Sequence, residues 1–220
     1  MHQSIINFNN IKSSIKSNQE QTNNKNNIKI IAVSKTFEIS HINPLIDYGH
    51  TDFGENKVQE AISKWRDIKN DRKDLKLHMV GKLQSNKAKN AAEIFDYIHS
   101  LDSQKLADIF NACERKNSKK LKYFIQINIG NEAQKSGIPI SEAESFYNYC
   151  AKENKLNILG LMIIPPNDDN TKKYFKSLDY LNNTLGLKEL SMGMSNDYTD
   201  AIRNNATYIR IGSAIFGSRN

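Results

Sequence analysis

From residue 28 onward, short runs rich in Ile, Val, Tyr and Phe alternate with longer stretches of helical period, and the alternation repeats eight times. Strand candidates fall at 29–34, 51–54, 76–80, 97–100, 122–129, 157–163, 189–192 and 208–211. The clearest helices between them are 104–116, 141–154 and 171–184. Ser141 precedes Glu144 at capping-box spacing, with Pro139 just upstream as a boundary signal. A further helix over 7–17 precedes the pattern, and the polar stretch 18–27 reads as a loop. Eight strand–helix units without a composition break predict an α/β chain folded as one closed (β/α)8 (TIM) barrel with an extra N-terminal helix, spanning 1–220 as a single domain. An open doubly wound sheet fits less well, because no Gly-x-Gly-x-x-Gly follows the first strand. Gly212 and Gly217 have the spacing of a phosphate-loop motif, but Ser218 stands where the lysine belongs.

Composition narrows the function classes. With 38% hydrophobic residues in 220, the chain can bury a core, so wholesale disorder is excluded. The longest apolar stretches, such as 161–164, fall far short of the roughly 20 residues that cross a bilayer. The N-terminus lacks the continuous apolar region of a secretory signal, so a cytoplasmic location is expected. Cys113 and Cys150 have no metal-ligand spacing and read as reduced packing residues; no metal site is expected. The 31 Lys+Arg exceed the 24 Asp+Glu by +7, which raises nucleic-acid binding as a hypothesis. The lysines are dispersed on helix-period faces, however, and solvated surfaces explain them without a phosphate backbone.

In a barrel of this kind the chemistry sits at the C-terminal ends of the strands. Strand one ends in Ala32-Val33-Ser34-Lys35-Thr36, strand two in Phe53-Gly54-Glu55-Asn56, and strand three in His78-Met79-Val80-Gly81. Strand four ends in His99-Ser100-Leu101-Asp102, strand seven runs into Ser191-Met192-Gly193-Met194-Ser195, and strand eight gives Arg210-Ile211-Gly212-Ser213. Barrel phosphate sites often use the loops after strands seven and eight and a short helix N-terminus, so Ser195, Gly212 and Ser213 are candidate anion donors. Barrel closure makes strand one the neighbour of strand eight and brings Lys35 near that pocket. Burial and a nearby cation such as Arg210 are expected to favour its free, nucleophilic amine. The alternative is that these are ordinary turn glycines and a surface lysine. Together, a phosphate cradle, a strand-end lysine and an arginine point to a phosphorylated aldehyde, with pyridoxal phosphate as the leading candidate.

At these residues the chain resembles the pyridoxal phosphate homeostasis proteins, a single-domain family related to the cofactor-binding barrel of alanine racemase. The likeness covers 28–219. It also rests on Lys57-Val58-Gln59-Glu60, Leu83-Gln84-Ser85-Asn86-Lys87, Lys135-Ser136-Gly137 and Gly160-Leu161-Met162. It implies that Lys35 forms an imine with the cofactor, that Ser195, Gly212 and Ser213 hold the phosphate, and that Arg210 faces the pyridine nitrogen. It places Asn56 and His78 on the ring side. Two departures are visible: Lys82 stands where the family usually has proline, and Leu77 replaces the common aromatic before His78.

A fixed cation at the pyridine nitrogen disfavours its protonation and weakens the ring as an electron sink, which argues against transamination and decarboxylation. Racemisation in the alanine racemase relative also needs a second base from an appended domain, and a chain ending at Asn220 is expected to lack it. The expectation is therefore a non-catalytic, monomeric carrier that buffers or delivers pyridoxal 5'-phosphate, with transient contacts to apoenzymes using that cofactor. The alternative is a weak amino-acid racemase.

Overall fold

The computed structural model describes residues 1–130, 132 and 134–217. Eight parallel strands close into a barrel in sequence order: β1 (Lys29–Val33), β2 (Asp52–Glu55), β3 (Lys76–Met79), β4 (Tyr97–Leu101), β5 (Lys122–Gln126), β6 (Ile158–Met162), β7 (Glu189–Ser191) and β8 (Tyr208–Ile211). Closure comes from β1, which pairs Ala32 with Phe53 of β2 and Ile31 with Arg210 of β8. The helices are α1 (Gln3–Thr22), α2 (Ile39–Asp47), α3 (Val58–Asp71), α4 (Ala88–Ile94), α5 (Gln104–Asn117), α6 (Ala143–Asn148), α7 (Thr171–Thr184), α8 (Tyr198–Arg203) and α9 (Ser213–Phe216). Among the described residues no helix is long and apolar enough to cross a membrane.

Side chains alternate across each strand, and the alternation sorts two cores. Ile30 and Ala32 of β1 face outward onto the helices, where they join Phe53, Trp65, Phe110 and Phe175. Ile31 and Val33 face inward and meet Val80, Tyr97, Phe124, Met162 and Tyr208. The inner cluster is small because the barrel interior also holds His78, His99, Ser191 and Arg210, all buried. Each fully buried large apolar side chain contributes about 1.5–3 kcal/mol, so the outer shell carries most of the hydrophobic stabilisation.

Three local expectations differ from the structure. The N-terminal helix runs over Gln3–Thr22, longer than 7–17 at both ends. Ser4, Phe8, Ile11, Ile15 and Asn18 form one buried stripe at helical spacing, and polar side chains finish the last turns. Asn18 Nδ2 donates to Ser14 O at 2.9 Å and Thr22 Oγ1 to Asn18 O at 2.8 Å. The fifth strand stops at Gln126, beyond which Ile127 makes only an isolated parallel bridge to Ile138. The segment expected as one helix over 141–154 is a 3-10 turn (Ile140–Glu142), then α6, then a π-helical turn (Tyr149–Glu153). No side-chain cap forms at its start, because Ser141 lies inside the 3-10 turn and is not the capping residue. Both cysteines are free, with Cys150 buried. Ser218 lies outside the described residues.

Candidate functional site

At the C-terminal ends of the strands the barrel opens into a cavity of about 1050 Å³. Its walls include Lys35, Asn56, Ser195, Arg210, Gly212 and Ser213, so six of the seven candidate binding residues meet in one place. The period of two explains most of this convergence. Lys35 shares the phase of the inward-facing Ile31 and Val33, and Gly212 shares that of Tyr208 and Arg210.

The turn carrying Lys35 is held on both sides. Ser34 Oγ donates to Glu55 Oε1 at 2.8 Å, and Lys64 Nζ donates to Ser34 O at 2.9 Å. Beyond the lysine, Thr36 adopts a left-handed φ of 68°, and its N–H donates to Glu60 Oε1. Lys64 bridges the two carboxylates, at 3.0 Å from each, and Trp65 Nε1 donates to Glu55 at 2.9 Å. Burial raises the Glu55 carboxyl above its ordinary value, against the pull of these donors. Thus α3, packed outside the barrel, clamps the backbone on either side of the cavity lysine.

Opposite, the loops after β7 and β8 come together. Ser195 Oγ accepts from Ala214 N at 3.3 Å, joining the two loops directly. Gly193 has a φ of 93°, and a Cβ there would lie 2.6 Å from the Ala201 side chain, so only glycine fits. A Cβ on Gly212 would come to 3.3 Å from Val33 O, the strand beside Lys35. Across the mouth, Gly81 presses against Asn56, with 2.5 Å between its hypothetical Cβ and Asn56 O. Leu77 is buried on the outward face, whereas Lys82 lines the cavity and adds a cation to its wall.

Arg210 is almost fully buried at the floor of the cavity. Its Nη1 donates to Ser191 Oγ at 2.7 Å and its Nη2 to Ile163 O at 2.8 Å. Burial pushes the guanidinium down to about 10, which still leaves it cationic at neutral pH. His78 departs from expectation: it does not line the cavity but lies in the interior, fully buried and stacked on Tyr97 at 4.2 Å. The reason is register, since Val80 is the inward residue nearer the mouth on that strand. His78 Nδ1 lies 2.9 Å from His99 Nε2, and its Nε2 lies 3.1 Å from Asp52 Oδ1. His99 Nδ1 in turn lies 2.8 Å from Ser191 Oγ. Sequence reasoning missed Ser191, Glu60 and Lys64 as site residues. Alternation on β7 could have exposed Ser191, but Glu60 and Lys64 look like an ordinary i,i+4 surface pair.

The titratable residues on the cavity walls are Lys35, Lys82, Lys135, Asp197, Asp200 and Arg210; among the described lining residues there is no Tyr, His or Cys. The arrangement offers an amine, a buried cation and hydroxyl and backbone donors around one space. Among the described residues no cluster of His, Cys, Asp or Glu could hold a metal ion.

Residues 6–220 match the family model described as alanine racemase, N-terminal domain. The pyridoxal phosphate homeostasis protein of Haemophilus influenzae is 39% identical over 212 residues, covering 92% of this chain and 90% of its own. That of Escherichia coli K12 is 38% identical over 201 residues, covering 87% and 86%. Among solved structures, PipY of Synechococcus elongatus with PLP bound superposes with a TM-score of 0.80 at 32% identity, covering 92% of this chain and all of that one. With a matching barrel, a matching family model and full-length relatives, the chain belongs to the alanine racemase N-terminal domain family and, within it, to the pyridoxal phosphate homeostasis proteins.

Proposed function

We propose that this protein binds pyridoxal 5'-phosphate at the C-terminal mouth of its barrel and buffers or delivers it, acting as a monomeric, single-domain carrier in the cytoplasm. The observation that carries this reading is the convergence of Lys35, Arg210, Ser195, Gly212 and Ser213 on one cavity. The donor set fits the group: an amine for an aldehyde, hydroxyls and backbone N–H groups for a phosphate, and a cation for an aromatic nitrogen. The relatives' names and the PLP-bound state of PipY support the choice of ligand. When bound, the cofactor supplies an aldehyde carbon that condenses with amines and a pyridine ring that can accept electrons.

In this reading Lys35 presents the amine, held by the clamp from α3. Ser195, Gly212 and Ser213 hold the phosphate, Asn56 lies beside the ring, and Arg210 serves the pyridine nitrogen. Arg210 stays charged and anchored, so it disfavours a proton on that nitrogen and limits the ring's electron-withdrawing power. Asp197 and Asp200 line the same walls, so the carrier reading rests on the weak electron sink that Arg210 enforces and on the relatives' names, not on the acid–base groups of the walls. Exchange with recipient apoenzymes would pass through the open mouth.

Borohydride reduction of the cofactor-loaded protein followed by peptide mass spectrometry tests the site. The pyridoxyl adduct is expected on Lys35, and Lys35→Ala is expected to lose the visible band while keeping its circular dichroism. An adduct on Lys57, Lys82 or Lys87 instead would overturn the assignment. A second reading, weak racemisation, is favoured by the description of the matching family model as an alanine racemase domain. Solvent deuterium entering the α-carbon of an amino acid at enzyme-like rates, and lost in Lys35→Ala, would replace the carrier reading.

A further inference from the structure

We infer that Asp52, His78, His99 and Ser191 form a one-directional hydrogen-bond chain through the barrel interior that positions the Arg210 guanidinium, coupling the closed end of the barrel to its mouth. The inference deepens the proposed function and rests on that reading for its effect on the cofactor. The four contacts are each 3.1 Å or shorter: Arg210 to Ser191, Ser191 to His99, His99 to His78 and His78 to Asp52. Asp52 is the first residue of β2, at the end opposite the cavity, so the chain crosses the barrel.

Donor counting fixes the direction. Arginine has only donors, so Ser191 Oγ accepts from Nη1 and its own proton is left for His99 Nδ1. His99 then carries its proton on Nε2 and donates to His78 Nδ1, and His78 donates from Nε2 to the Asp52 carboxylate. The reverse order fails, because a neutral His78 would face the carboxylate with a lone pair and Ser191 would have a stranded proton. Burial holds both imidazoles below their ordinary value and therefore neutral. Burial opposes charge on Asp52 as well, but the His78 hydrogen bond and the other nearby donors outweigh it and keep the carboxyl ionised. With every bond pointing from cation to carboxylate, each polarises the next.

The surroundings hold the ring planes. His78 stacks on Tyr97, and His99 stacks on Phe124 with a centroid distance of 4.4 Å. Tyr208 borders both imidazoles. Lys122 Nζ donates to the Tyr97 hydroxyl at 3.1 Å and Lys29 Nζ to that of Tyr208 at 3.0 Å. His50 and Thr51 bond Asp52 itself, His50 through the main-chain oxygen and Thr51 through Oδ2. A merely space-filling interior would not need matched donors from one end to the other.

Nitrogen-15 NMR of the histidine side chains and of the Arg210 guanidinium, without and with added pyridoxal phosphate, tests this. Both imidazoles are expected to be neutral and protonated on Nε2 only, and the Arg210 side-chain N–H signals to be protected from solvent exchange. Ser191→Ala should mix the His99 tautomers and remove that protection. Asp52→Leu, at the far end, should release the His78 tautomer. Losing the hydrogen bond to the Arg210 guanidinium in Ser191→Ala, and the partner that orients the Ser191 hydroxyl in His99→Phe, should weaken pyridoxal phosphate binding about tenfold. His99→Gln, which can accept and donate in the same order, should restore most of it. Protonation on Nδ1 of either histidine, or a His99→Phe protein with unchanged guanidinium protection, would overturn the proposal. Wild-type protein that shows the tautomers and the protection but binds no cofactor would instead overturn the proposed function alone.

Discussion

Lys64→Met removes an ammonium from the cluster that clamps the turn around Lys35. The Lys64 side chain is 10% exposed and Glu55 is fully buried, so the substitution strands a carboxylate inside the protein. Breaking a buried ion pair from one side costs about 3–5 kcal/mol. Ser34 Oγ and Trp65 Nε1 still donate to Glu55, which places the cost near the lower end, about 3 kcal/mol. Glu55 Oε2 has no hydrogen-bond partner among the described residues, so nothing else takes over the charge. Without Lys64, the Glu55 carboxyl rises further above its already raised value. A raised carboxyl stabilises the fold at low pH and loses that contribution as pH rises through the folded value. The Lys64→Met penalty is therefore expected to grow as pH rises above the wild-type Glu55 value. Glu55→Gln keeps an acceptor for Trp65 and Ser34 and removes the stranded charge, so the double variant should cost less than the sum of the singles by at least about 1 kcal/mol. Urea denaturation of the four proteins across acid to neutral pH measures this. Additive costs, or a penalty that does not change with pH, would refute the clamp as an electrostatic unit. Slower reductive labelling of Lys35 in Lys64→Met would tie the clamp to the site.

Three further outcomes are expected. Ser195→Ala combined with Gly212→Val should weaken pyridoxal phosphate binding far more than pyridoxal binding, since the valine Cβ would meet Val33 O at 3.3 Å and the alanine removes a hydroxyl; equal weakening in calorimetry would move the phosphate elsewhere. His78 and His99 are buried and neutral, with folded values below the ordinary one of about 6.5, so stability should be complete above that value and fall as pH drops below it, by up to about 1.4 kcal/mol per pH unit for each. A flat stability profile between about pH 7 and about pH 5 would contradict that burial. Gly81→Ala should disturb the mouth through Asn56, because its Cβ would press on backbone at 2.5 Å; unchanged cofactor affinity with unchanged stability would show that the loop yields freely.

Strand count, order of the motifs and the inward phase of Lys35, Asn56, Arg210 and Gly212 all follow from local patterning, because a period of two survives whatever the strand packs against. The glycine and serine loops after the seventh and eighth strands were legible for the same reason: their position at strand ends is a property of the alternation. Depth along the barrel axis was not legible. His78 shares the phase of the site residues, yet lies below the mouth, and only the stagger between β2, β3 and β4 decides which layer it occupies. The extent of α1 was also hidden, because Asn and Ser are indifferent helix formers and it is packing on α2, α8 and α9 that holds the helix. Ser191 with Arg210, and Lys64 with Ser34, are separated in the chain by 19 and 30 residues. Such pairs leave no periodic trace; the pairing of β7 with β8 and the packing of α3 on the strands bring them within hydrogen-bonding distance, and the low-polarity interior makes unmatched donors and acceptors costly.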